Sequence, residues 1–420
     1  MDSKSLRFPF CLFIHFASIK LSGNMLRRTA IAKSVLASAA SYQRILGAND
    51  RPNLGLIGAG GRGRFLAAEF KEIGFQIPAV CDVYGPNLEA GLKVASTGAQ
   101  GQKDYRKLLD DKSLDAVVIA TPDHWHATML IDAVRAGKDV YVEKPLCHTI
   151  EEGYRIVDAV RATDRIVQVG TQRRSSPLFL EAKTVIDSGV LGDVRLVTSW
   201  WMNHQATLNP AQLAGDLDWR AWLGNSPQRP VDATRFFNWY YFYDYSGGLI
   251  VGQAAHIFDA IQWFMNSKAP LAVTATGGQI NLKGSEIPDT ATMALEFAEN
   301  YLATFTLGYK AMRYHPSQDQ LEQFHGNKAR LDVNREGWSL YPESLTPELK
   351  ASRQHYEAGN FARATRDHIR NFLACIQSRK QPNAPVENGL ATAIALVMTM
   401  ESLRKGKRVT FNAATRQTSA

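Results

Sequence analysis

Between residues 53 and 169, short apolar runs alternate with longer stretches whose apolar positions recur at helical spacing. The runs 53–57, 77–81, 115–120, 139–142 and 166–169 read as buried strands, and 64–73, 127–136 and 150–162 as helices. A strand that is apolar throughout must be covered on both faces, so the alternation predicts a doubly wound parallel sheet with helices on each side.

Beyond residue 171 the texture changes. The runs 194–202, 271–276, 292–297, 302–307 and 329–333 are strand-like with few helices between them, as in a large, mostly antiparallel open sheet. Two strong helical patterns, 361–378 and 389–404, close the chain, with Gly406 just past the last periodic turn as a stop signal. The fold class is therefore α/β, an N-terminal doubly wound domain followed by an α+β domain.

Composition leaves this picture intact. Of 420 residues, 45% are hydrophobic and 21% charged, which excludes a disordered chain or a small disulfide scaffold. Four scattered cysteines (Cys11, Cys81, Cys147, Cys375) show no CxxC and indicate neither a disulfide framework nor a zinc site. The net charge of +8 suggests a nucleic-acid partner until its location is considered. Residues 1–48 hold seven Lys/Arg against one acid, so the body carries only +2 and has no electrostatic footprint for DNA or RNA. The apolar stretch 8–21 is broken by His15 and Lys20, so nothing here reads as a membrane span, and an integral membrane protein is not expected.

From Met25 the chain reads MLRRTAIAKSVLASAASYQRILGAND, a twin arginine (Arg27, Arg28) followed by a short Ala/Ser/Val/Leu segment. This resembles a twin-arginine export signal, which makes 1–50 a leader, Met25 a candidate start and the periplasm the expected destination. The alternative is an amphipathic or disordered tail on a cytoplasmic protein.

Gly58-Ala59-Gly60-Gly61-Arg62-Gly63 is a GxGxxG that follows a predicted strand and opens a helix. In that context Gly58 permits the turn, Gly60 lets the backbone approach a pyrophosphate, and Gly63 allows helix and strand to pack closely, with amide donors at the helix start and Gly61 counted with them as cofactor-binding. Asp82 lies 19 residues after Gly63 at the end of the next strand, where a carboxylate accepts from ribose hydroxyls and repels a 2'-phosphate. NAD is expected over NADP. Arg62 either touches phosphate or is solvated. Thr121, Pro122, Trp125 and His126 follow the strand 115–120 at the carboxyl edge of the sheet, where ligands bind in such folds. His124 and His126 lack a third ligand, so no metal is expected.

Glu143-Lys144-Pro145 ends another buried strand, with Pro145 biasing Lys144 toward an extended backbone. A lysine in a partly desolvated cleft loses basicity and can take the proton of a substrate hydroxyl. Gln172, Arg173 and Arg174 open the second domain, where they can face a cleft and donate to sugar hydroxyls. The aromatic run from Trp200 to Tyr245 either fills core or walls a sugar pocket.

The GxGxxG together with TPDHWHA (121–127), AGKDVYVEKPL (136–146), GTQRRSSP (170–177), SGGLIVGQAAHIFD (246–259) and HIRNFLACIQSRKQPNAPVENG (368–389) resembles the Gfo/Idh/MocA oxidoreductase family over residues 51–412. The resemblance implies an NAD(P)-binding Rossmann domain at 51–171 and a substrate-binding and oligomerisation domain at 172–420. Its open sheet would form a dimer or tetramer interface. It implies a sugar or polyol substrate, Lys144 as acid/base with Glu143 beside it, and His256 on the reacting hydroxyl, with Asp259 structural. Many members carry an aspartate four residues before that histidine, where this chain has Gly252. Asp244 is the candidate replacement. The expected function is an NAD-dependent sugar or polyol dehydrogenase. A redox-neutral glycosidase or lyase that recycles its bound NAD, and a non-catalytic dinucleotide- or sugar-binding protein, are the alternatives.

Overall fold

The computed structural model describes residues 51–420 apart from 205, 206, 209–211 and 346–348; the leader lies outside the described residues. Strands β1 (Asn53–Ile57), β2 (Gln76–Cys81), β3 (Gln100–Gln102), β4 (Ala116–Ile119), β5 (Asp139–Val142) and β6 (Val167–Val169) form a parallel sheet in the order β3-β2-β1-β4-β5-β6. The reversal of strand order between β1 and β4 opens a crevice at their carboxyl ends, and Gly58 and Thr121 leave the sheet there. Helices α1 (Gly61–Ile73), α2 (Gly85–Val94), α3 (Tyr105–Asp110), α4 (His126–Arg135) and α5 (Ile150–Arg161) form the crossovers. Helix α5 begins at a reciprocal capping box between Thr149 and Glu152, which satisfies two amides otherwise left without partners.

After α6 (Pro177–Asp187), the second sheet runs β14-β13-β12-β11-β7-β10-β9-β8-β15-β16. Its strands are β7 (Val194–Met202), β8 (Ala272–Gly278), β9 (Thr290–Glu296), β10 (Leu302–Gly308), β11 (Gln320–Gly326), β12 (Ala329–Asn334), β13 (Gly337–Pro342), β14 (Arg353–Tyr356), β15 (Val409–Asn412) and β16 (Gln417–Ser419). All pairs are antiparallel except β7 with β10. Alternate residues of β9 and β10 are buried, so one face of the sheet covers core and the other stays open.

Between β7 and β8 the chain makes the short helices α7 (Trp219–Leu223) and α8 (Ala233–Phe237), then the long, almost wholly buried α9 (Gly248–Phe264). Helices α10 (Asn360–Ser378) and α11 (Val386–Lys405) return to the first sheet, and α11 ends at Gly406 in the left-handed conformation, as its stop signal requires. Val169 N–H donates to Ala384 O at 2.9 Å, and Gln168 Nε2 donates to His368 O at 2.7 Å. Gly389 faces Val169 and Leu146, where even a methyl would be tight. The apolar core therefore runs without interruption from Ile57 to Val409.

Candidate active site

The glycine turn is built by sterics. Gly58 has φ +89, and a Cβ there would lie 2.7 Å from Ala120 O. A Cβ on Gly63 would stand 1.9 Å from Gly58 O. Gly60 and Gly61 differ in kind, because a Cβ on either would meet nothing within 4 Å. Their space opens into a cavity of about 740 Å³ lined on this side by Gly60, Gly61, Asp82, Thr121, Pro122 and Trp125. Asp82 accepts from Ala59 N–H at 2.8 Å and from Tyr84 N–H at 2.9 Å, so it clamps the turn while facing the cavity. Burial pushes its carboxyl above the ordinary value, opposed by those two amides and by Asn87 and Arg64. A carboxylate has about four acceptor positions, which leaves capacity for ribose hydroxyls. A cradle free of side chains, a helix N-terminus and this acid fit a dinucleotide of the NAD type.

The opposite wall comes from the segment 213–246, a strap that reaches across from the second sheet. Gly85 N–H donates to Asp216 O at 2.8 Å, Asp218 N–H to Val83 O at 3.0 Å, and Ala214 N–H to the Tyr84 hydroxyl at 3.0 Å. Tyr84, Trp219, Trp222, Phe236, Phe242 and Tyr245 form a separate aromatic core beneath the strap, in which Trp219 and Trp222 stack with centroids 4.8 Å apart. Trp222, Phe236, Phe237 and Trp239 line the cavity. The aromatic run thus walls the cofactor side, which its spacing in sequence did not reveal.

Lys144 follows β5 through a cis bond to Pro145 and donates from Nζ to Gly252 O at 3.1 Å. Burial lowers its pKa below the ordinary lysine value; Glu143 and Asp123 oppose that shift, while Arg62 adds to it. Burial pushes the Glu143 carboxyl up, yet Arg62 and Lys144 outweigh it and hold the acid ionised. Arg62 Nε pairs with Glu143 at 2.7 Å at the cavity edge, so it is neither simply solvated nor free for phosphate alone. His256 lies on α9 one turn beyond Gly252, 6.1 Å from the Trp201 ring. Burial, with Lys144, Arg173 and Arg62 adding to it, holds His256 well below its ordinary pKa, so its imidazole is neutral.

Several expected site residues lie elsewhere. Arg173 is 2% exposed and pairs with Glu322 and Gln320, its guanidinium 5.0 Å from the Phe179 ring centroid. Its Nη1 also approaches His256 O at 3.4 Å. Arg174 makes two 2.9 Å contacts to the buried Asp259. Neither arginine faces the cleft; both neutralise acids inside the fold, and the expectation that they hold substrate is corrected. Gln172 is buried, its Oε1 without a hydrogen-bond partner among the described residues. His126 is also buried, with Nδ1 2.7 Å from Pro145 O and Nε2 3.1 Å from Thr121 O, so it ties the two loops together instead of touching a cofactor. His124 is pushed down to about 3 by burial, beside Trp222 O, and no metal-binding group of His, Cys, Asp or Glu occurs among the described residues.

Asp244 pairs with Arg229 and Arg235 and does not supply the expected carboxylate. Besides Glu143, the acid that acts on Lys144 is Asp123, buried and accepting from the Ser246 hydroxyl at 2.6 Å. Sequence reading passed over it. Its signal was its place directly after Pro122 at the sheet edge.

A profile described as "Oxidoreductase family, NAD-binding Rossmann fold" matches residues 53–171, and one for the GFO/IDH/MocA C-terminal domain matches residues 179–332. Inositol 2-dehydrogenase 2 of Saccharopolyspora erythraea is 30% identical over 247 residues, 58% of this chain and 62% of that one. An uncharacterized oxidoreductase of Bacillus subtilis is 26% identical over 85% of this chain and 96% of its own length. Among solved structures, a levoglucosan dehydrogenase complexed with NADH and levoglucosan superposes with a TM-score of 0.68 at 20% identity, over 86% of this chain and 99% of the other. The myo-inositol 2-dehydrogenase of Lactobacillus plantarum gives 0.67 at 20% identity, over 86% and 100%.

Proposed function

The chain belongs to the Gfo/Idh/MocA oxidoreductase family, and from that premise we propose that it oxidises a secondary alcohol of a sugar, polyol or related derivative with NAD. One observation carries the reading: an amine of lowered basicity, Lys144, stands at the carboxyl edge of the same sheet whose glycine turn opens the cavity. Nicotinamide, when bound, supplies the hydride-accepting ring. Gly60 and Gly61 expose the backbone to the pyrophosphate, and Asp82 holds the adenosine ribose. Lys144, in its neutral form, removes the hydroxyl proton at Nζ, and Glu143 and Asp123 stabilise the ammonium that results. His256, neutral, offers a hydrogen bond to the same oxygen. The similarity to inositol dehydrogenases supports cyclic polyols as the first substrates to try.

The test is to purify the protein, identify any retained dinucleotide, and follow NADH absorbance with a panel of inositols and sugars. Lys144→Met is expected to lose roughly 10²–10⁴-fold in kcat while still binding NADH. Absence of dinucleotide binding would overturn the proposal.

A second reading, a redox-neutral glycosidase or lyase that keeps its NAD, draws support from the strap over the cavity. Product formation without net NADH distinguishes it. We further propose export through the twin-arginine-like leader, tested by N-terminal sequencing of periplasmic protein. We also propose self-association through the open face of the large sheet, tested by light scattering.

A further inference from the structure

Gly252 is the meeting point of two polar groups from separate parts of the chain. Its carbonyl takes the Lys144 ammonium at 3.1 Å. On its other side stands Tyr240, from the end of the strap: a Cβ on Gly252 would fall 1.3 Å from the tyrosine hydroxyl oxygen and 2.5 Å from Cζ. The phenol thus occupies the volume that any side chain at position 252 would claim. Tyr240 is only partly buried, and its hydroxyl makes no hydrogen bond to protein among the described residues. Its ring is edge-on to Trp239 and Tyr241, with centroids 5.4 and 5.7 Å away. His256 is one turn further along α9 on the same face.

We infer that Tyr240 is a further catalytic residue of this site, its hydroxyl donating a hydrogen bond to the reacting substrate oxygen beside Lys144. The inference rests on the dehydrogenase reading above. As the substrate O–H proton passes to Lys144 Nζ, negative charge grows on the oxygen, and a fixed donor aimed at that atom stabilises it. Tyr240 keeps its own proton throughout: burial, with the carboxylate of Asp123 and the neighbouring Tyr241 adding to it, holds the phenol well above its ordinary pKa. The groups that act on the amine are Glu143, Asp123, Arg62 and the neutral His256, and the uncharged Tyr240 meets it at Gly252.

The test uses the full chain saturated with NAD, with myo-inositol as probe. Tyr240→Phe should lower kcat roughly 10²-fold with KM changed less than about threefold and melting temperature unchanged. Tyr240→Ala should be equally impaired, and Tyr240→Ala/Gly252→Ser, which returns a hydroxyl from the helix side, should recover part of the loss. Wild-type kcat in Tyr240→Phe overturns the inference. If the wild type binds NADH but leaves myo-inositol unchanged, Lys144 is labelled as its ¹³C-dimethyl derivative, assigned by its absence in Lys144→Met, and titrated by NMR with and without NAD. Tyr240 shares Gly252 with the ammonium, so loss of its oxygen should then move the midpoint down by about half a unit or more. An unmoved midpoint overturns the inference. Failure of NADH binding in the same samples counts against the dinucleotide reading alone.

Discussion

The glycine turn allows folding and cofactor binding to be separated by single methyl groups. Gly63→Ala gains helix propensity of about 1 kcal/mol but drives a methyl to 1.9 Å from the Gly58 carbonyl, a backbone atom that cannot rotate away. Overpacking of this kind costs about 3 kcal/mol, so a net loss of about 2 kcal/mol and, for a body of this size, a fall of about 2–3 °C in melting temperature are expected. Gly60→Ala and Gly61→Ala meet nothing within 4 Å and should melt at or slightly above wild type. In those two variants the methyl sits where the pyrophosphate must approach. Loss of one charge-assisted amide bond, about 1.5–3 kcal/mol, weakens NADH binding roughly 10- to 100-fold. Thermal melts paired with NADH fluorescence titrations measure both quantities on the same samples. Undiminished NADH affinity in Gly60→Ala, or unchanged melting in Gly63→Ala, would refute the assignment of these glycines.

Arg174→Ala should destabilise the fold by about 3–5 kcal/mol in chemical denaturation, because Asp259 is left buried and unpaired; a stable variant with raised KM would restore the substrate role. The oxidation rate should rise with pH through the Lys144 midpoint, since the neutral amine is the base. That limb should lie below the ordinary lysine value because burial opposes the ammonium, and no limb should appear near the usual histidine value. A limb at the ordinary lysine value counts against Lys144. Asp82→Ala should weaken NADH binding about tenfold and narrow the preference over NADPH, read by parallel titrations. Trp222→Ala should speed NADH dissociation in stopped flow, because this ring forms part of the cavity wall.

The first sheet was legible because its signals are local. Strand β1 falls where the apolar run 53–57 put it, and β5 at 139–142 likewise. Helix α1 begins three residues before the expected 64, since Gly61 and Gly63 carry low helix propensity but are held by the turn. The closing helices lie within three residues of expectation, with Gly406 ending the last. What escaped depends on distant pairing. Arg173 and Arg174 suit sugar recognition by residue type, but Glu322 and Asp259, 149 and 85 positions away, claim them first. A replacement for the carboxylate absent at Gly252 was sought at Asp244, nearby in sequence, yet Asp244 pairs with arginines, and the acid that joins Glu143 in acting on Lys144 is Asp123, from the loop after β4. Strand β11, with its alternating burial, was overlooked because its charged and amide residues mask the pattern.

Trp239 and Tyr240 are adjacent in the strap, one lining the dinucleotide cavity and the other resting on Gly252. A dinucleotide in the cavity would contact the first ring and, through the backbone, bear on the position of the second. Because one peptide bond joins these two rings, we expect an ordered reaction in which coenzyme enters first, the alcohol follows and reduced coenzyme leaves last. Product-inhibition patterns would display that order directly, with NADH competitive against NAD and noncompetitive against the sugar.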